Sequence, residues 1–175
     1  MRKASKALVV GGGADNTVLE LLNQNKVDTV THVDISKVLS EKSQARIKNI
    51  DGSDQVTFLV RSYLEYNSKS KYDAILFPYY LDLFDVGDLK DQIKHTATLL
   101  KSNSCVYVID FSSSQNQSIW MKLKVRILYL FFYPVIRNRN YKIPDFDTSF
   151  KEIGFKKEFE ECFYGGFYSL KVFTK

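Results

Sequence analysis

Three consecutive glycines, Gly11, Gly12 and Gly13, stand between the apolar run Ala7–Val10 and a segment of helical periodicity, in VVGGGADN. Glycines placed so let the main chain turn tightly and let a ligand approach the backbone closely. Asp34 follows 23 residues after Gly11, at the end of a second apolar run. A carboxylate there is placed to accept both hydroxyls of a ribose. Each feature has a plainer reading: a tight turn for the glycines, an Asx cap for a helix at Ser36 in the case of Asp34. Together, in a strand–loop–helix context, they favour a nucleotide-like ligand. A dinucleotide fingerprint would want a further glycine where Asn16 stands, which weakens a nicotinamide reading.

A second group of candidates follows YDAILFP. Tyr79 and Tyr80 could orient an acceptor molecule through a phenol or a ring face, or simply pack beneath a loop. Asp82, in LDLF, reads better as a turn or capping residue than as a base. Asp110 could face the same side or accept loop amides. His32 and His95 have no acid or cysteine companion in sequence and read as structural. Neither H-E-x-x-H spacing nor a Ser-His-Asp order occurs, so a hydrolase or a metal site has no support. Cys105 and Cys162, without any C-x-x-C pair, read as reduced core residues.

The elements that must position these residues alternate. Lys6–Val10, Thr29–Val33, Gln55–Val60, Tyr72–Phe77 and Ser104–Phe111 read as strands, the fourth apolar throughout as a strand buried on both faces should be. Asn16–Gln24, Ser36–Asn49 and a segment capped by Asp85 and running to Leu100 read as helices between them. A short helix, Asp147–Ile153, closes at Gly154. Phe155–Tyr164 and Phe167–Thr174 then form two strands around Gly165-Gly166, a two-residue hairpin signal. A parallel run that ends in an antiparallel pair predicts an α/β, Rossmann-like sheet of seven strands, mostly parallel with an antiparallel C-terminal strand and helices on both faces.

The 175 residues, 45% hydrophobic and 14% aromatic, suit one domain with a sizeable core. The formal charge of +5 invites a polyanionic partner. The segment 112–144, however, holds six basic residues and no acid, which leaves the rest of the chain close to neutral. Within it Trp120, Leu123, Ile127, Leu130 and Phe131 make an apolar helical face, Lys122 and Arg126 share another, and Pro134 ends or kinks the helix. A packed cap helix, a lid over an acceptor and a contact with anionic lipid through 119–139 all fit this pattern. Nucleic acid is not expected, because the aromatics lie in an apolar run and are not spaced among the cations. The short apolar run before Gly11 does not fit a secretory signal, and 119–136 falls short of a membrane span, so a cytoplasmic location is expected.

In this order of segments the chain resembles the class I S-adenosylmethionine-dependent methyltransferases of small molecules. Gly11 and Gly13 match two glycines of the family's first motif, Asp34 its ribose acid, and Ser62 the position after the third strand that faces adenine. YDAILFPYYLDLF, HTATLLKSNSCVYVIDF and FYGGFYSLKVFTK match the fourth strand with its loop, the fifth strand with its preceding helix, and the reversed last strand. The resemblance implies S-adenosylmethionine as cofactor, held by Gly11, Gly12, Gly13, Asp34, Ile35, Ser62, Tyr63 and Pro78. It also implies a small-molecule acceptor beside Tyr79, Tyr80 and Trp120, and it allows a homodimer. Val9 replaces the motif's acid, Asp15 its third glycine, and the helices that usually precede the first strand are not in this sequence. These departures keep a non-catalytic or degenerate nucleotide-binding module as the alternative. The spermidine synthases share the sheet and often a GGG loop, but Phe77-Pro78-Tyr79-Tyr80 stands where they present acids.

Overall fold

A computed structural model describes residues 3–13, 15–112 and 143–175. Seven strands, β1 (Ala4–Val10), β2 (Val27–Asp34), β3 (Val56–Val60), β4 (Tyr72–Pro78), β5 (Leu100–Phe111), β6 (Lys156–Phe163) and β7 (Tyr168–Thr174), form one sheet in the order β3-β2-β1-β4-β5-β7-β6. The pairs from β3 to β5 are parallel, and β7 runs antiparallel to both its neighbours. Among the described residues four helices accompany them: α1 (Thr17–Asn23), α2 (Lys37–Ile47), α3 (Val86–Leu99) and α4 (Phe146–Glu152).

The period of two in the central strands sorts the core into two layers. Ala7 and Val9 point to the face that packs on Val18, Leu21 and Leu22 of α1 and Ile47 of α2. Leu8 and Val10 point to the other face, against a cluster that includes Leu89 and Ile93 of α3 and Phe146 and Phe150 of α4. Right-handed crossovers explain the division. The steps β1 to β2 to β3 move one way along the sheet and the step β4 to β5 moves the other, so their helices fall on opposite faces. The reversal lies between β1 and β4, and ligands of open α/β sheets bind in the crevice outside the carboxyl ends of the strands at such a switch point. Gly11 ends one wall of that crevice and Pro78 the other.

Two expectations are corrected. The last hairpin is not a two-residue turn: Phe163 pairs with Tyr168, and Phe163 oxygen accepts from both Gly166 N (3.1 Å) and Phe167 N (3.0 Å). Tyr164, Gly165 and Gly166 all take positive φ, a longer reversal than the glycine pair alone suggests. Cys105 is buried as expected, but Cys162 is exposed, because β6 is an edge strand with solvent against every residue along it.

Candidate active site

The glycine loop leaves β1 with Gly11, Gly12 and Gly13 at φ of 68°, 77° and 57°, a region that side-chain-bearing residues rarely enter. Space adds a second requirement. A Cβ on Gly11 would lie 2.5 Å from Cδ2 of Tyr80, and one on Gly12 would lie 2.5 Å from Cγ of Pro78. The loop is anchored at both ends to β2: Gly11 N donates to Val33 oxygen (2.8 Å), and Gly13 N donates to Oδ2 of Asp34 (3.2 Å). The other carboxylate oxygen of Asp34 accepts from Ser36 N at 2.7 Å, in the Asx geometry that the sequence also allowed. Each oxygen has taken one backbone donor, and a carboxylate has about four lone-pair sites. Asp34 therefore holds the loop and keeps capacity to accept further hydroxyls.

Asp15, at the position of the motif's third glycine, is turned onto α1. Its Oδ1 accepts from Thr17 N (2.9 Å) and its Oδ2 from the Thr17 hydroxyl (2.7 Å), so it caps a helix whose formal N-cap, Asn16, instead accepts from Arg46 Nη1. Burial raises its pKa, and the bonds to Thr17 with the charge of Arg46 oppose that rise only in part. His32 lies in β2 with 1% exposure and its ring against Phe58. Burial lowers its pKa more than the attraction of Asp34 and Asp15 and a bond to the Gly11 backbone raise it, so the imidazole is neutral, and two acids distant in sequence lie near it. His95 is structural, its Nε2 paired with Tyr66 oxygen at 2.9 Å.

Beyond Asp34 the crevice presents apolar faces to solvent. Ile35, Val38, Val60 and Leu64 are all exposed, at the carboxyl ends of β2 and β3 and the turns that follow. Ser62 lies among them, half-buried, with no capping bond from its side chain. Tyr63 does not join this surface. Its ring is buried edge-on against Phe77 and His95, its hydroxyl pairs with Thr96 (2.9 Å), and burial pushes its phenol far above the ordinary value. One residue beyond Ser62 the chain has begun the turn Tyr63–Glu65, which aims the ring inward.

On the other wall, Pro78 is buried under Gly12, and Tyr79 and Tyr80 diverge. Tyr79 has φ of 50°, a conformation uncommon for an aromatic residue and a mark of functional sites. Its ring meets Tyr168 (5.5 Å between centroids) and Phe111 (6.2 Å), it remains 41% exposed, and burial of the rest raises its pKa, so the phenol is a neutral donor. Tyr80 turns back over Gly11, stacks on Phe77 and donates to Gln92 Oε1 at 3.2 Å. Asp82 and Asp110, read singly from the sequence, meet in the interior: Oδ2 of Asp110 accepts from Asp82 N (3.1 Å). Trp120 and the rest of the expected cap lie outside the described residues.

The structure thus brings together the glycine loop, Asp34, Pro78 and Tyr80, with Ile35 and Ser62 along one rim and Tyr79 along the other, and it turns the Tyr63 ring away. Among the described residues no group of three or more His, Cys, Asp or Glu could hold a metal ion, and no helix is long and apolar enough to cross a membrane. A groove between α2 and β3, lined by Gln44, Lys48, Asp54 and Phe58, contains none of the candidate residues.

Comparison with known proteins agrees with this fold. The chain is similar to mitomycin 7-O-methyltransferase MmcR (TM-score 0.79, 18% identity), over 98% of this chain and 49% of that one. It is similar to an O-methyltransferase family protein from Burkholderia thailandensis (TM-score 0.77, 15% identity), over 99% and 51%. It is also similar to N-methyltransferase NodS from Bradyrhizobium japonicum, in complex with S-adenosyl-L-homocysteine (TM-score 0.66, 13% identity), over 97% and 77%. At these identities the likeness is one of fold. In sequence, 87 residues are 38% identical to polyamine aminopropyltransferase 2 of Hyperthermus butylicus, a match that spans 46% of this chain and 27% of that protein. The chain accordingly spans about half the length of the first two structures and a smaller share of the aminopropyltransferase. Residues 1–138 match the family model described as the ubiE/COQ5 methyltransferase family. That match takes in the glycine loop, Asp34, both tyrosines and β1 to β5, and the chain belongs to the ubiE/COQ5 methyltransferase family.

Proposed function

We propose that this chain binds S-adenosylmethionine at the glycine loop and methylates a small molecule held beside Tyr79. The observation that carries the reading is the bond from Gly13 N to Asp34, which joins the backbone cradle and the ribose acid at the switch point of a methyltransferase-family sheet. The fit rests on two further features. A Cβ on Gly11 or Gly12 would collide with Tyr80 or Pro78, so the loop presents bare main chain to a ligand, and the exposed faces of Ile35, Val60 and Leu64 offer an apolar rim for an adenine beside Ser62. Once bound, the cofactor supplies an electrophilic methyl group on a sulfonium centre. The protein's share is alignment and exclusion of water. Gly11–Gly13 and Asp34 fix the donor, Tyr63 contributes only main chain, and the neutral phenol of Tyr79 orients the acceptor by donating a hydrogen bond. The location follows as cytoplasmic, with a small-molecule acceptor as the partner and no nucleic acid. Contact of 119–139 with anionic lipid, and a homodimer, would show as sedimentation with phosphatidylserine vesicles and as a doubled mass in light scattering.

A second reading, aminopropyl transfer, has one specific support: the segment 38% identical to polyamine aminopropyltransferase 2. Calorimetry separates the two. Micromolar binding of S-adenosylmethionine or S-adenosylhomocysteine supports methyl transfer, preference for the decarboxylated donor transfers the reading to aminopropyl chemistry, and no binding of either at millimolar ligand leaves a degenerate module.

A further inference from the structure

Asp110 is the last polar residue of β5, with no measurable exposure, and Asp82 is 2% exposed in the turn Leu81–Leu83. Asp110 accepts from Phe111 N at 2.8 Å through Oδ1 and from Asp82 N at 3.1 Å through Oδ2. One residue earlier, Ile109 oxygen accepts from Tyr79 N at 2.7 Å. Consecutive residues of β5 therefore grip the segment after β4 at two points, Tyr79 and Asp82. Between them lies Tyr80, whose ring closes over Gly11 and whose hydroxyl is tied to Gln92.

We propose that Asp110, holding a proton beside the buried Asp82, is a positioning residue that holds Tyr80 against Gly11 and so sets the shape of the donor cradle. It touches neither ligand in this account and acts through the segment 79–82. The reading of the crevice as a donor site is presupposed only for the ligand measurement below.

The proton follows from surroundings. Two carboxyl groups this deeply buried and in contact cannot both ionise. Burial raises the pKa of Asp110 well above the ordinary range, the charge of Asp82 raises it further, and the two backbone donors lower it less. Among the described residues the groups that face Asp110 are Asp82, the Tyr79 phenol from the segment after β4, and Ser169 opposite it on β7, none of them cationic. A carboxyl whose folded-state pKa is raised holds a proton that the unfolded chain releases. Folding is then disfavoured progressively as pH rises from the unfolded pKa, near 4, to the folded one, by about tenfold in the equilibrium constant per pH unit.

The test compares wild type with Asp110→Asn, whose amide donates to Asp82 without a titrating proton, and Asp110→Ala, which removes the clamp. Urea denaturation between pH 4 and 8 is expected to show Asp110→Asn gaining on wild type by up to tenfold in the folding constant per pH unit; parallel profiles would overturn the shared proton. Hydrogen exchange at pH 6 is expected to be faster in Asp110→Ala over both residues 79–84 and residues 8–16, and close to wild type in Asp110→Asn. Acceleration confined to 79–84, or equal in both variants, would overturn the coupling to the cradle. Should Asp110→Ala not fold, Tyr80→Ala gives the same readout at residues 8–16. With S-adenosylhomocysteine as probe, Asp110→Ala should bind about tenfold more weakly and Asp110→Asn within about twofold of wild type, a tenfold change being about 1.4 kcal/mol. If wild type does not bind that probe, the methyltransferase reading fails while the exchange and denaturation results still decide the clamp.

Discussion

The two walls of the crevice are built by opposite means. At the ends of β1 and β2 the working parts are main chain: three glycines at positive φ, the N–H of Gly13, and one carboxylate that holds it. At the ends of β4 and β5 the working parts are side chains: two tyrosines that diverge, a buried carboxyl pair, and the rings of Phe111 and Tyr168. The first wall has no room for added atoms; the second depends on atoms that can be removed. Substitutions should therefore be felt through clash and strain on one side and through lost contacts on the other.

The largest expected effect is on the backbone wall. Gly11→Val places a β-branched residue at φ of 68° with its Cβ 2.5 Å from Tyr80. The left-handed conformation costs about 1–2 kcal/mol and overpacking about 1–3 more. Urea denaturation should register a loss of that combined size, and a variant as stable as wild type would break the contrast. Asp34→Ala comes next. It strands the N–H groups of Gly13 and Ser36 and should weaken S-adenosylhomocysteine binding about tenfold to a hundredfold, on the 1–3 kcal/mol scale of unsatisfied donors. Unchanged affinity by calorimetry would remove Asp34 from the site. Asp15→Ala should cost about 1 kcal/mol by uncapping α1, with the effect concentrated in thermal stability.

On the side-chain wall, Tyr79→Phe should leave stability within about 0.5 kcal/mol, because the ring contacts remain. It should alter acceptor turnover while sparing donor binding; a change in donor affinity would merge the two walls. The smallest effect belongs to Asp147, on neither wall. Burial pushes its pKa up, but the bonds from Lys157 and Lys171 outweigh it and hold it below the ordinary range. Its stabilisation is present above the unfolded pKa and fades as pH falls through the lower folded value, the reverse of Asp110. An acid titration of Asp147→Asn against wild type should show a flatter profile below pH 4 and no change at either wall.

This division also governs what could be read from sequence. The glycine loop, Asp34 and the central strands are local or periodic features: VVGGG needs only its own backbone, and YDAILF announces a buried strand by being apolar throughout. Asp15 carries a local signal too, an acid two residues before Thr17, but the pattern predicts a helix start at Asn16, one residue ahead of the observed one, which hides the cap. Tyr63 looked available because it neighbours Ser62, and only the turn Tyr63–Glu65 decides that its ring faces inward. Cys162 looked like core because its strand is apolar in places, and edge position is a property of topology. The Asp82–Asp110 pair lay furthest from view, since 28 residues separate its members and only the pairing of β4 with β5 brings them together.

The proposed function places the donor in the cradle formed by Gly11–Gly13 and Asp34. Amide chemical-shift mapping with saturating S-adenosylhomocysteine tests it most directly. The largest shifts are expected at Gly11, Gly12, Gly13, Ile35 and Leu64, with small ones at Lys48 and Phe58. Shifts centred on the groove between α2 and β3, or no saturable shift at all, would contradict it.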